Sequence, residues 1–303
     1  MLTLGPLMLN WEAARRRDFY ARIADEAPVG CVHLGEVVCS KRAPFTDRDL
    51  PAIAERLRAG GKEVVISTMA LVTSKAEMRA VEEMLEAGFL VEANDVSCVH
   101  VLAGRPHAIG PLVNVFNEGT LAYLARMGAI RVAPPPEVGI DGLGVFARAE
   151  PGVEIEATVF GRLTLSVAAR CYHARAYGLH RDNCQFVCAR EADGMPVETL
   201  DGEAFVVVNG TQTMSHGYAA AIADLPRLRE GGVRRFRLMP QDVDMVRIAR
   251  LFDDALGGRT GTDEAMAQLR AACGEVPFVE GYAHGRPGRE WRGQDRLPDR
   301  LLH

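Results

Sequence analysis

The sequence contains no apolar run approaching the roughly 20 residues that a membrane-spanning helix needs. Its N-terminus, "MLTLGPLMLNWEAARRR", has no basic segment ahead of the apolar stretch, which argues against a secretory signal peptide. Basic residues are not in excess either, since 35 Lys and Arg stand against 40 Asp and Glu and the net charge is −5. These absences give no case for nucleic-acid or membrane binding by the whole chain, and we expect a cytoplasmic protein.

Motifs of hydrolytic enzymes are also absent. The chain has neither the H-E-x-x-H pair of zinc metalloproteases nor the G-x-S-x-G turn that exposes a serine nucleophile. The histidines are scattered, and none stands in a motif with a nucleophile, although a fold can still assemble a triad from distant residues. They include His33, His100, His107, His180, His216 and His284. The sequence therefore offers little support for proteolysis.

What the chain does contain is an alternation of short apolar runs with amphipathic helical segments over its first 133 residues. Ser74, with Glu77 in the capping-box position, and Thr46 are candidate helix caps. Such an alternation predicts a parallel sheet covered by helices. Candidate strands lie at 2–5, 30–38, 63–69, 89–101, 112–116, 130–133, 154–160 and 233–238. Their number is close to the eight of a closed barrel, and we predict an α/β fold of the (β/α)8 barrel type.

Length and composition fit one large domain. The 303 residues, 48% of them hydrophobic, can bury a sizeable core. We expect a single barrel-like domain over 1–284, in which an excursion after strand seven, 161–232, carries three cysteines and a β-like segment, "AFVVVNG". From residue 285 the sequence is rich in Arg, Gly and Pro, which predicts a mobile tail over 285–303.

Two segments near the sixth strand have an unusual composition. "GLGVFA" (Gly142–Ala147) matches the loose G-x-G-x-x-A nucleotide fingerprint, but it follows no clear strand and Pro151 cuts short any helix after it. We therefore expect a glycine-rich loop there. "APPPEV" (Ala133–Val138) places three prolines in a row, which predicts a rigid loop at the barrel mouth, with a substrate or partner wall as the alternative.

Polar side chains are expected at that mouth, where strands two and four end. "EVVCSKR" supplies Glu36, Lys41 and Arg42. Lys41 and Arg42 could bind an acidic substrate, or they could be solvated loop charges. Asn94 and Asp95 could face the same side of the barrel, or they could form a turn.

Three of the seven cysteines lie close together in the excursion. Cys171, Cys184 and Cys188 form C-x12-C-x3-C among charged neighbours such as Arg175 and Asp182. A buried apolar role suits a single cysteine but fits three in a polar segment poorly. In a reducing compartment, such cysteines are better explained as thiols, metal ligands or catalytic groups than as disulfides. A metal site is the leading interpretation.

A closed site needs a fourth ligand, and Cys39 is the best candidate. It ends the run "CVHLGEVVC", and the C-terminal ends of barrel strands form the functional face. Cys31 begins that run at the opposite face and is expected in the core, as is Cys98, while Cys273 is expected to be structural. His173 could be a ligand, but we expect it to pack or to form hydrogen bonds nearby.

Two kinds of metal group could use four cysteines. Structural zinc prefers paired C-x2-4-C knuckles, and only Cys184 and Cys188 form a close pair. A [4Fe–4S] cluster tolerates less regular spacing, and the local arginines would offset its charge of about −2. The radical-SAM pattern is not met, because Glu191 stands where its third cysteine would be.

Four stretches together resemble the collagenase-like peptidase family: "LTLGPLMLNW", "DFYARIADEAPV", "LGEVVCSKR" and "VFGRLTLSVAARCYHARAYGLHRDNCQFVC". The resemblance extends to about Tyr282, and the cysteine segment is its most specific part. The branch of the family that the sequence resembles implies a [4Fe–4S] cluster as cofactor, held by Cys39, Cys171, Cys184 and Cys188.

The same resemblance implies partners and a function. It implies a heterodimer with a UbiU-like chain that carries its own cluster, and a lipid-carrier accessory protein as a further partner. Together they would support oxygen-independent hydroxylation of the ubiquinone precursor ring, with prephenate as the oxygen donor. Two alternatives stay open: a non-catalytic partner whose cluster only stabilises the fold, and a peptidase-like hydrolase that is zinc-dependent or metal-free.

Overall fold

A computed structural model of the chain describes residues 1–291. The β-strands in chain order are β1 (Leu2–Leu4), β2 (Cys31–Leu34), β3 (Glu63–Ser67), β4 (Leu90–Ala93), β5 (His107–Ile109), β6 (Ala129–Val132), β7 (Glu154–Gly161), β8 (Thr164–Val167), β9 (Met195–Glu198), β10 (Ala204–Asn209), β11 (Gln212–Ser215), β12 (Tyr218–Ala220), β13 (Arg235–Leu238) and β14 (Phe278–Val279). The α-helices are α1 (Ala13–Glu26), α2 (Ala43–Ala59), α3 (Lys75–Glu86), α4 (Val96–Leu102), α5 (Glu118–Arg126), α6 (Ile140–Ala149), α7 (Tyr172–Ala176), α8 (Leu225–Glu230), α9 (Met245–Leu256) and α10 (Thr262–Cys273).

Eight parallel strands close into a barrel. Strands β1 to β7 pair in sequence order, and β13 pairs with both β7 and β1 to complete the ring. Successive strands are joined by helices, whose apolar faces cover the outside of the sheet. The predicted (β/α)8 barrel is thus confirmed, and so is the insertion, because residues 162–232 lie between the seventh and eighth barrel strands.

One of the predicted strands is wrong, and another is shorter than predicted. The segment 112–116 is not a strand: Pro111–Val113 is a short 3-10 helix, and the fifth barrel strand is instead β5. A proline has no N–H to donate to a ladder, and Asn114 has a left-handed φ of 64°. The segment 89–101 contains only the four-residue strand β4, followed at once by α4.

Of the two helix caps predicted from the sequence, one is present in the structure and the other is not. Asp95 caps α4 by accepting the Ser97 N–H at 2.8 Å, which is why the chain turns into a helix after β4. The predicted capping box of Ser74 and Glu77 is present at the start of α3. Thr46 is not a cap, because α2 already begins at Ala43, with a proline in its first turn.

The glycine-rich loop expected at Gly142–Ala147 is also wrong, because these residues lie within α6. Each interior glycine costs a helix about 1 kcal/mol relative to alanine. Burial of Ile140, Leu143 and Phe146 against the core outweighs that cost. Tertiary packing here overrides a weak local preference.

The excursion folds into a small sheet of its own that is attached to the barrel mouth. Its four antiparallel strands are ordered β8-β11-β10-β9. Thr211 Oγ1 donates to Val38 O at 2.8 Å, and Gln212 Nε2 donates to Met8 O at 2.7 Å. These bonds attach the β10–β11 hairpin to the loops that follow β2 and β1, on the C-terminal side of the barrel.

The predicted mobile tail, 285–303, begins within the described residues and ends outside them. Over 285–291 the chain contacts the barrel: Glu280 N donates to Glu290 O at 2.8 Å, and the Trp291 and Phe278 ring centroids are 5.4 Å apart. Residues 292–303 lie outside the described part. Within residues 1–291, no helix is both long enough and apolar enough to cross a membrane.

Candidate functional site

The four cysteines predicted as ligands line one small cavity between the barrel mouth and the excursion. Its lining consists of Cys39, Lys41, Arg42, Cys171, Arg181, Cys184, Phe186, Val187, Cys188 and Gly210. Cys39, Cys171 and Cys188 are buried, and Cys184 is half-buried. The remaining cysteines, Cys31, Cys98 and Cys273, are buried elsewhere, as the sequence predicted.

The loop after β2 holds Cys39 through a buried carboxylate. Glu36 Oε1 accepts the N–H groups of Val38 at 2.8 Å and Cys39 at 3.0 Å. The same oxygen accepts from the Arg42 guanidinium at 2.8 Å. Arg42 is only 3% exposed, so the interpretation of this residue as a solvated loop charge is wrong, whereas its interpretation as a substrate ligand stays a prediction. Lys41 lies at the surface, with its Nζ 3.5 Å from Asp182 Oδ1.

Cys171 begins the short helix α7, and the helix geometry orients its sulfur. The Sγ atom accepts the Ala174 N–H at 3.4 Å, as an N-cap side chain does. The thiol also donates to Gly210 O at 3.2 Å. Cys171 is therefore held between the helix and the β10–β11 turn.

A strained turn separates Cys184 from Cys188. The two residues after Cys184, Gln185 and Phe186, have left-handed φ angles of 48° and 51°. This conformation costs a non-glycine residue roughly 1–2 kcal/mol, and such strain is concentrated at functional sites. Asn10 Nδ2 donates to Cys188 Sγ at 3.2 Å. The strained turn places both sulfurs on the same cavity.

Asn209, at the end of β10, connects the segments that carry these cysteines. Its Oδ1 accepts from the Asn10 N–H and from Arg42 Nη1, both at 3.2 Å. Its Nδ2 donates to Cys188 O at 2.9 Å and to Glu191 O at 3.3 Å. Sequence reasoning missed this residue, because an asparagine at a strand end signals only a turn.

Burial controls the acidity of two of the thiols. It raises the pKa of Cys171, against the effect of the Ala174 N–H, and it raises the pKa of Cys188, against the effects of Arg42 and Asn10. Metal ligation requires thiolates, so binding at this site would release protons.

The sulfurs of the four cysteines can be compared with the spacing that a single metal ion requires. Over residues 1–291, ligand atoms of at least three His, Cys, Asp or Glu residues lie within 4.8 Å of one another at two places, and neither includes a cysteine. Tetrahedral zinc with Zn–S bonds of about 2.3 Å would bring its sulfurs to about 3.8 Å from one another. A four-iron cluster binds each thiolate at a separate iron, which requires wider spacing. The sulfurs as they stand are therefore not preset for a single tetrahedral ion, and the nature of the group stays a prediction.

His173 is held away from ligation by other partners. Its Nε2 lies 2.9 Å from Glu191 Oε2, and its Nδ1 lies 3.2 Å from Val208 O. The Tyr177 ring stacks on the imidazole at a centroid distance of 5.7 Å and bonds to Glu191 as well. These contacts agree with the packing and hydrogen-bonding role expected for His173.

A second group of polar side chains fills the barrel interior. Arg237 Nη2 donates to Glu156 Oε2 at 2.9 Å and also to Glu92. Ser67 Oγ donates to Glu92 Oε1 at 2.9 Å, and His33 Nδ1 lies 3.3 Å from Glu92 Oε2. All five residues are at most 1% exposed. Sequence reasoning missed this group, although charged residues inside apolar strand runs, such as "RFRL", were a usable signal.

The charges of this interior group stabilise one another. Burial opposes ionisation of Glu92, but Arg237 and His33 outweigh it and hold the pKa of that carboxyl well below its usual range. The pKa of Glu156 is lowered for the same reasons. Burial would lower the pKa of Arg237, but Glu156 and Glu92 raise it. Glu92, Glu156 and Arg237 therefore stay ionised at neutral pH.

A pocket of about 240 Å³ lies at the C-terminal mouth of the barrel and has Glu92 and Arg237 among its lining residues. The segment after each of the eight barrel strands supplies at least one lining residue: Pro6, Val37, Ala70, Asn94, Leu112, Pro135, Leu163 and Met239. This is the face where β/α barrels place their ligands. The "APPPEV" segment is thus one wall of the pocket.

The mouth pocket and the cysteine cavity share a wall. Val37 lines the pocket, and Cys39, two residues further on, lines the cavity. Met8, Val37, Val38, Cys39 and Met239 form one apolar cluster between them. A group bound in the cavity would therefore be next to a ligand bound in the pocket.

The fold and these sites define an α/β barrel protein with a four-cysteine cavity beside its mouth pocket. Residues 11–293 match the sequence model of Peptidase family U32, and the chain belongs to that family. The resemblance to the collagenase-like peptidases is thus confirmed at the level of the family.

Two solved structures have a similar overall fold. The U32 peptidase Mk0906 is 14% identical, with a TM-score of 0.45 over 80% of this chain and 93% of that chain. The dihydrodipicolinate synthase (Atu0899) from Agrobacterium tumefaciens str. C58 is 13% identical, with a TM-score of 0.36 over 88% of this chain and 78% of that chain. Similarities at this level carry no inference about activity or ligands.

Proposed function

We propose that this chain is a UbiV-type iron–sulfur subunit of a cytoplasmic UbiU–UbiV-type complex, which hydroxylates the ring of a ubiquinone precursor without oxygen. Prephenate would be the oxygen donor. The single observation that carries the proposal is the convergence of Cys39, Cys171, Cys184 and Cys188 on one cavity. The pathway itself comes from the resemblance of the cysteine segment and the N-terminal third to that branch of the family.

The chemistry of the cavity supports a [4Fe–4S] cluster held by these four thiolates. A cluster of this kind carries about −2 in its oxidised form, and the cavity lining includes Lys41, Arg42 and Arg181. Arg42 is paired with Glu36 and Lys41 with Asp182, whereas Arg181 bonds to the uncharged oxygens of Ala169 and Ser40. The Arg181 charge is thus available to offset that of the cluster.

The chain's own residues would hold the cluster and limit its exposure to water. When bound, a [4Fe–4S] cluster supplies one-electron transfer. Four thiolate ligands leave no open iron position, which argues against a Lewis-acid role for an intact cluster. The wall shared with the mouth pocket would bring an electron carrier next to the substrate.

The family name suggests a second candidate, a peptidase-like hydrolase, and one constellation has the residue types that such an enzyme would use. His33 Nδ1 lies 3.3 Å from Ser67 Oγ, and Glu92 contacts both side chains. These groups resemble a serine triad in composition only. Ser67 is 1% exposed and donates a hydrogen bond to Glu92, and neither Ser67 nor His33 is among the described residues that line the mouth pocket. The arrangement suits a structural network better than a nucleophile.

Anaerobic purification tests the cofactor directly. Iron and acid-labile sulfide should be present at about four per chain, with broad visible absorption that bleaches on reduction. A colourless protein with stoichiometric zinc would refute the cluster. Co-expression with a UbiU-like chain should yield a heterodimer, whereas failure to co-purify without oxygen would refute the partnership.

Quinone content separates a redox role from a structural one. A folded ligand variant such as Cys184→Ala should lose anaerobic ubiquinone formation and keep aerobic growth, with quinone normalised to soluble variant protein. Normal quinone with a folded, cluster-free variant would exclude a redox role. A depleted or protease-sensitive variant would instead support a cluster that stabilises the excursion, because metal binding is then part of the folding free energy.

A further inference from the structure

Two exposed phenylalanines lie beside the cysteine cavity. Phe186 is one of the residues that line it and is 37% exposed, and Phe45, in the first turn of α2, is 57% exposed. Their rings meet edge to face at a centroid distance of 5.2 Å. The pair therefore joins the barrel to the excursion and presents apolar surface to solvent next to the cavity.

The backbone at Phe186 is strained. Its φ of 51° is in the left-handed region, which is unfavourable for a residue with a side chain. An exposed ring gains little from burial, so packing within this chain does not account for a large apolar residue at a strained position. Backbone strain of this kind is concentrated at functional sites, and here it indicates a contact surface.

Arginines that form no ion pair surround the two rings. Arg48 is three residues after Phe45 on α2, and Arg175 is one helical turn after Cys171 on α7, so each shares a helix side with a residue at the cavity. Both arginines are exposed, and Arg181 lines the cavity itself. Over residues 1–291, none of the three is in a salt bridge.

The carboxylates nearest to these arginines in the sequence are paired with other side chains. Asp49 contacts Arg16 at 2.9 Å, and Asp182 contacts Lys41 at 3.5 Å. Glu191 contacts His173 at 2.9 Å. The positive charge beside the rings is therefore not neutralised from within the chain.

This face has the opposite charge balance from the chain as a whole. Residues 168–191 contain four arginines against two acids, Asp182 and Glu191, whereas the whole chain has 35 Lys and Arg against 40 Asp and Glu. An acidic molecule would be repelled by much of the remaining surface and attracted here. Such a field steers and orients a charged partner, and here it would orient that partner on the cysteine cavity.

A basic surface with aromatic rings could also attract nucleic acid, but two observations favour a protein. Domains that bind nucleic acid are usually strongly basic, whereas the net charge here is −5. Stacking of bases needs an open ring face, and Phe45 and Phe186 are packed edge to face against each other. An acidic protein with some apolar surface matches the face better.

The cysteine nearest to this face in the sequence is also the least buried of the four. Cys184 is half-buried, whereas Cys39, Cys171 and Cys188 are buried, and Cys184 lies two residues before Phe186. A protein bound over the two rings would approach the site from its least covered side. Electron-transfer partners form small, transient interfaces, and a face of this extent is sufficient for one.

The surface described above, here called the docking face, consists of Phe45, Arg48, Arg175, Arg181 and Phe186. We propose that the docking face binds a small acidic protein that carries one electron. The transfer itself rests on the proposed function: the reduced carrier would lose one electron, and the cluster held by the four cysteines would gain it. No atom or proton changes place in this step.

An acidic plant-type [2Fe–2S] ferredoxin is the probe for this proposal. Calorimetric titration against the full chain, purified without oxygen, should show binding at about 20 mM salt that weakens at least about fivefold at about 300 mM salt. No binding at low salt, or binding that salt does not weaken, would overturn the proposal. Binding of a 12-nucleotide single-stranded DNA in place of the ferredoxin would overturn it as well.

Charge reversals locate the binding. Arg48→Glu and Arg175→Glu should each weaken ferredoxin binding at least about fivefold at low salt. Arg126, exposed at the end of α5 between the fifth and sixth barrel strands, provides the matched control, and Arg126→Glu should bind nearly as the unmodified chain does. Equal losses in all three folded variants would show attraction by overall charge alone and overturn the docking face.

An apolar variant tests the contribution of the rings. Phe45 does not line the cavity, so Phe45→Ala should keep the iron content of the unmodified chain and still weaken ferredoxin binding at least about threefold. Tyr123→Ala, at a side chain on α5 that is 54% exposed, should leave the affinity unchanged. Unchanged affinity in Phe45→Ala would exclude the rings from the contact and overturn the docking face as defined.

Two further outcomes separate this proposal from the proposed function. Iron assayed on the same sample tests the cluster: a chain with full iron that does not bind the ferredoxin refutes the docking face alone. A chain without iron that binds with the expected variant pattern refutes the proposed function and keeps the face. If Arg48→Glu prevents co-purification with a UbiU-like chain and leaves ferredoxin binding unchanged, the face belongs to the heterodimer and the proposal is overturned.

Discussion

Arg42 and Asn209 lie 167 residues apart in the chain, and their side chains join the two halves of the cysteine site. Arg42 orders the loop of Cys39 through Glu36, while Asn209 bonds to the backbone carbonyl of Cys188. The direct bond between them, 3.2 Å from Arg42 Nη1 to Asn209 Oδ1, connects the barrel mouth to the excursion. The site is thus assembled by buried polar contacts as well as by its ligands.

Replacement of Asn209 should therefore weaken the site without removing a ligand. Asn209→Ala leaves Cys188 O without its donor and Arg42 without one acceptor, which should cost about 2 kcal/mol of unfolding free energy. Iron content per chain should fall. Chemical denaturation and iron assay measure both effects, and Gln268→Ala, at a half-buried position of α10 remote from the cysteines, serves as control. Full iron in Asn209→Ala would contradict this role.

Alanine variants of the seven cysteines should separate ligands from core residues. Substitution of Cys39, Cys171, Cys184 or Cys188 should lower iron occupancy, because a methyl group cannot replace a thiolate. Two such substitutions together should cost less than the sum of the single losses, since they act on one site. Alanine at Cys31, Cys98 or Cys273 should leave full iron. The choice of ligands is wrong if Cys39→Ala keeps full iron while Cys98→Ala loses it.

Relief of backbone strain between two ligands should stabilise the chain. Gln185 has a left-handed φ of 48°, which glycine adopts without the steric cost. We expect Gln185→Gly to raise the unfolding free energy by about 0.5–1 kcal/mol and to keep full iron. Gln268→Gly, in the regular helix α10, should instead lower it by about 1 kcal/mol. Thermal unfolding of both variants measures the difference in sign, and equal destabilisation would refute the strain.

The barrel interior should make stability depend on acid pH. The pKa values of Glu92 and Glu156 are lower in the folded chain than in the unfolded chain, where they are about 4.3. Their contribution is therefore complete above about pH 5 and is lost as pH falls through the folded values. Unfolding free energies from urea titrations should be about equal at pH 7 and pH 5 and should fall at pH 4 and again at pH 3.

Glu92→Gln should remove part of this pH dependence. It should also lower stability at pH 7 by about 3 kcal/mol, because it leaves a buried ion group incomplete. Glu83→Gln, an exposed carboxylate on α3, should change neither quantity by more than about 0.5 kcal/mol. A pH profile for Glu92→Gln that is as steep as that of the unmodified chain would exclude Glu92 as its source.

Several features of this protein were readable from local sequence. The alternation of apolar runs and amphipathic helices predicted the barrel, because each strand and helix must bury an apolar face in its own immediate surroundings. Cys171, Cys184 and Cys188 lie within eighteen residues of one another, and this closeness in the sequence predicted that they share a site. That these thiols bind a cluster stays a prediction, and the structure adds that Cys39 lies in the same cavity.

Other features were decided only by the tertiary structure, because they depend on contacts between distant residues. From the sequence, Arg42 could have been a ligand of an acidic substrate or a solvated loop charge, and only the packing of the excursion buries it against Glu36 and Asn209. Closure of the barrel brings Glu92 and Arg237, 145 residues apart, into one ion pair. Local propensity and spacing carry no information about such partners, since burial and charge pairing arise only when the strands take their register. The composition of the mouth pocket has the same cause. The segment that follows each barrel strand contributes to the lining of the pocket, and only closure of the barrel brings those segments together.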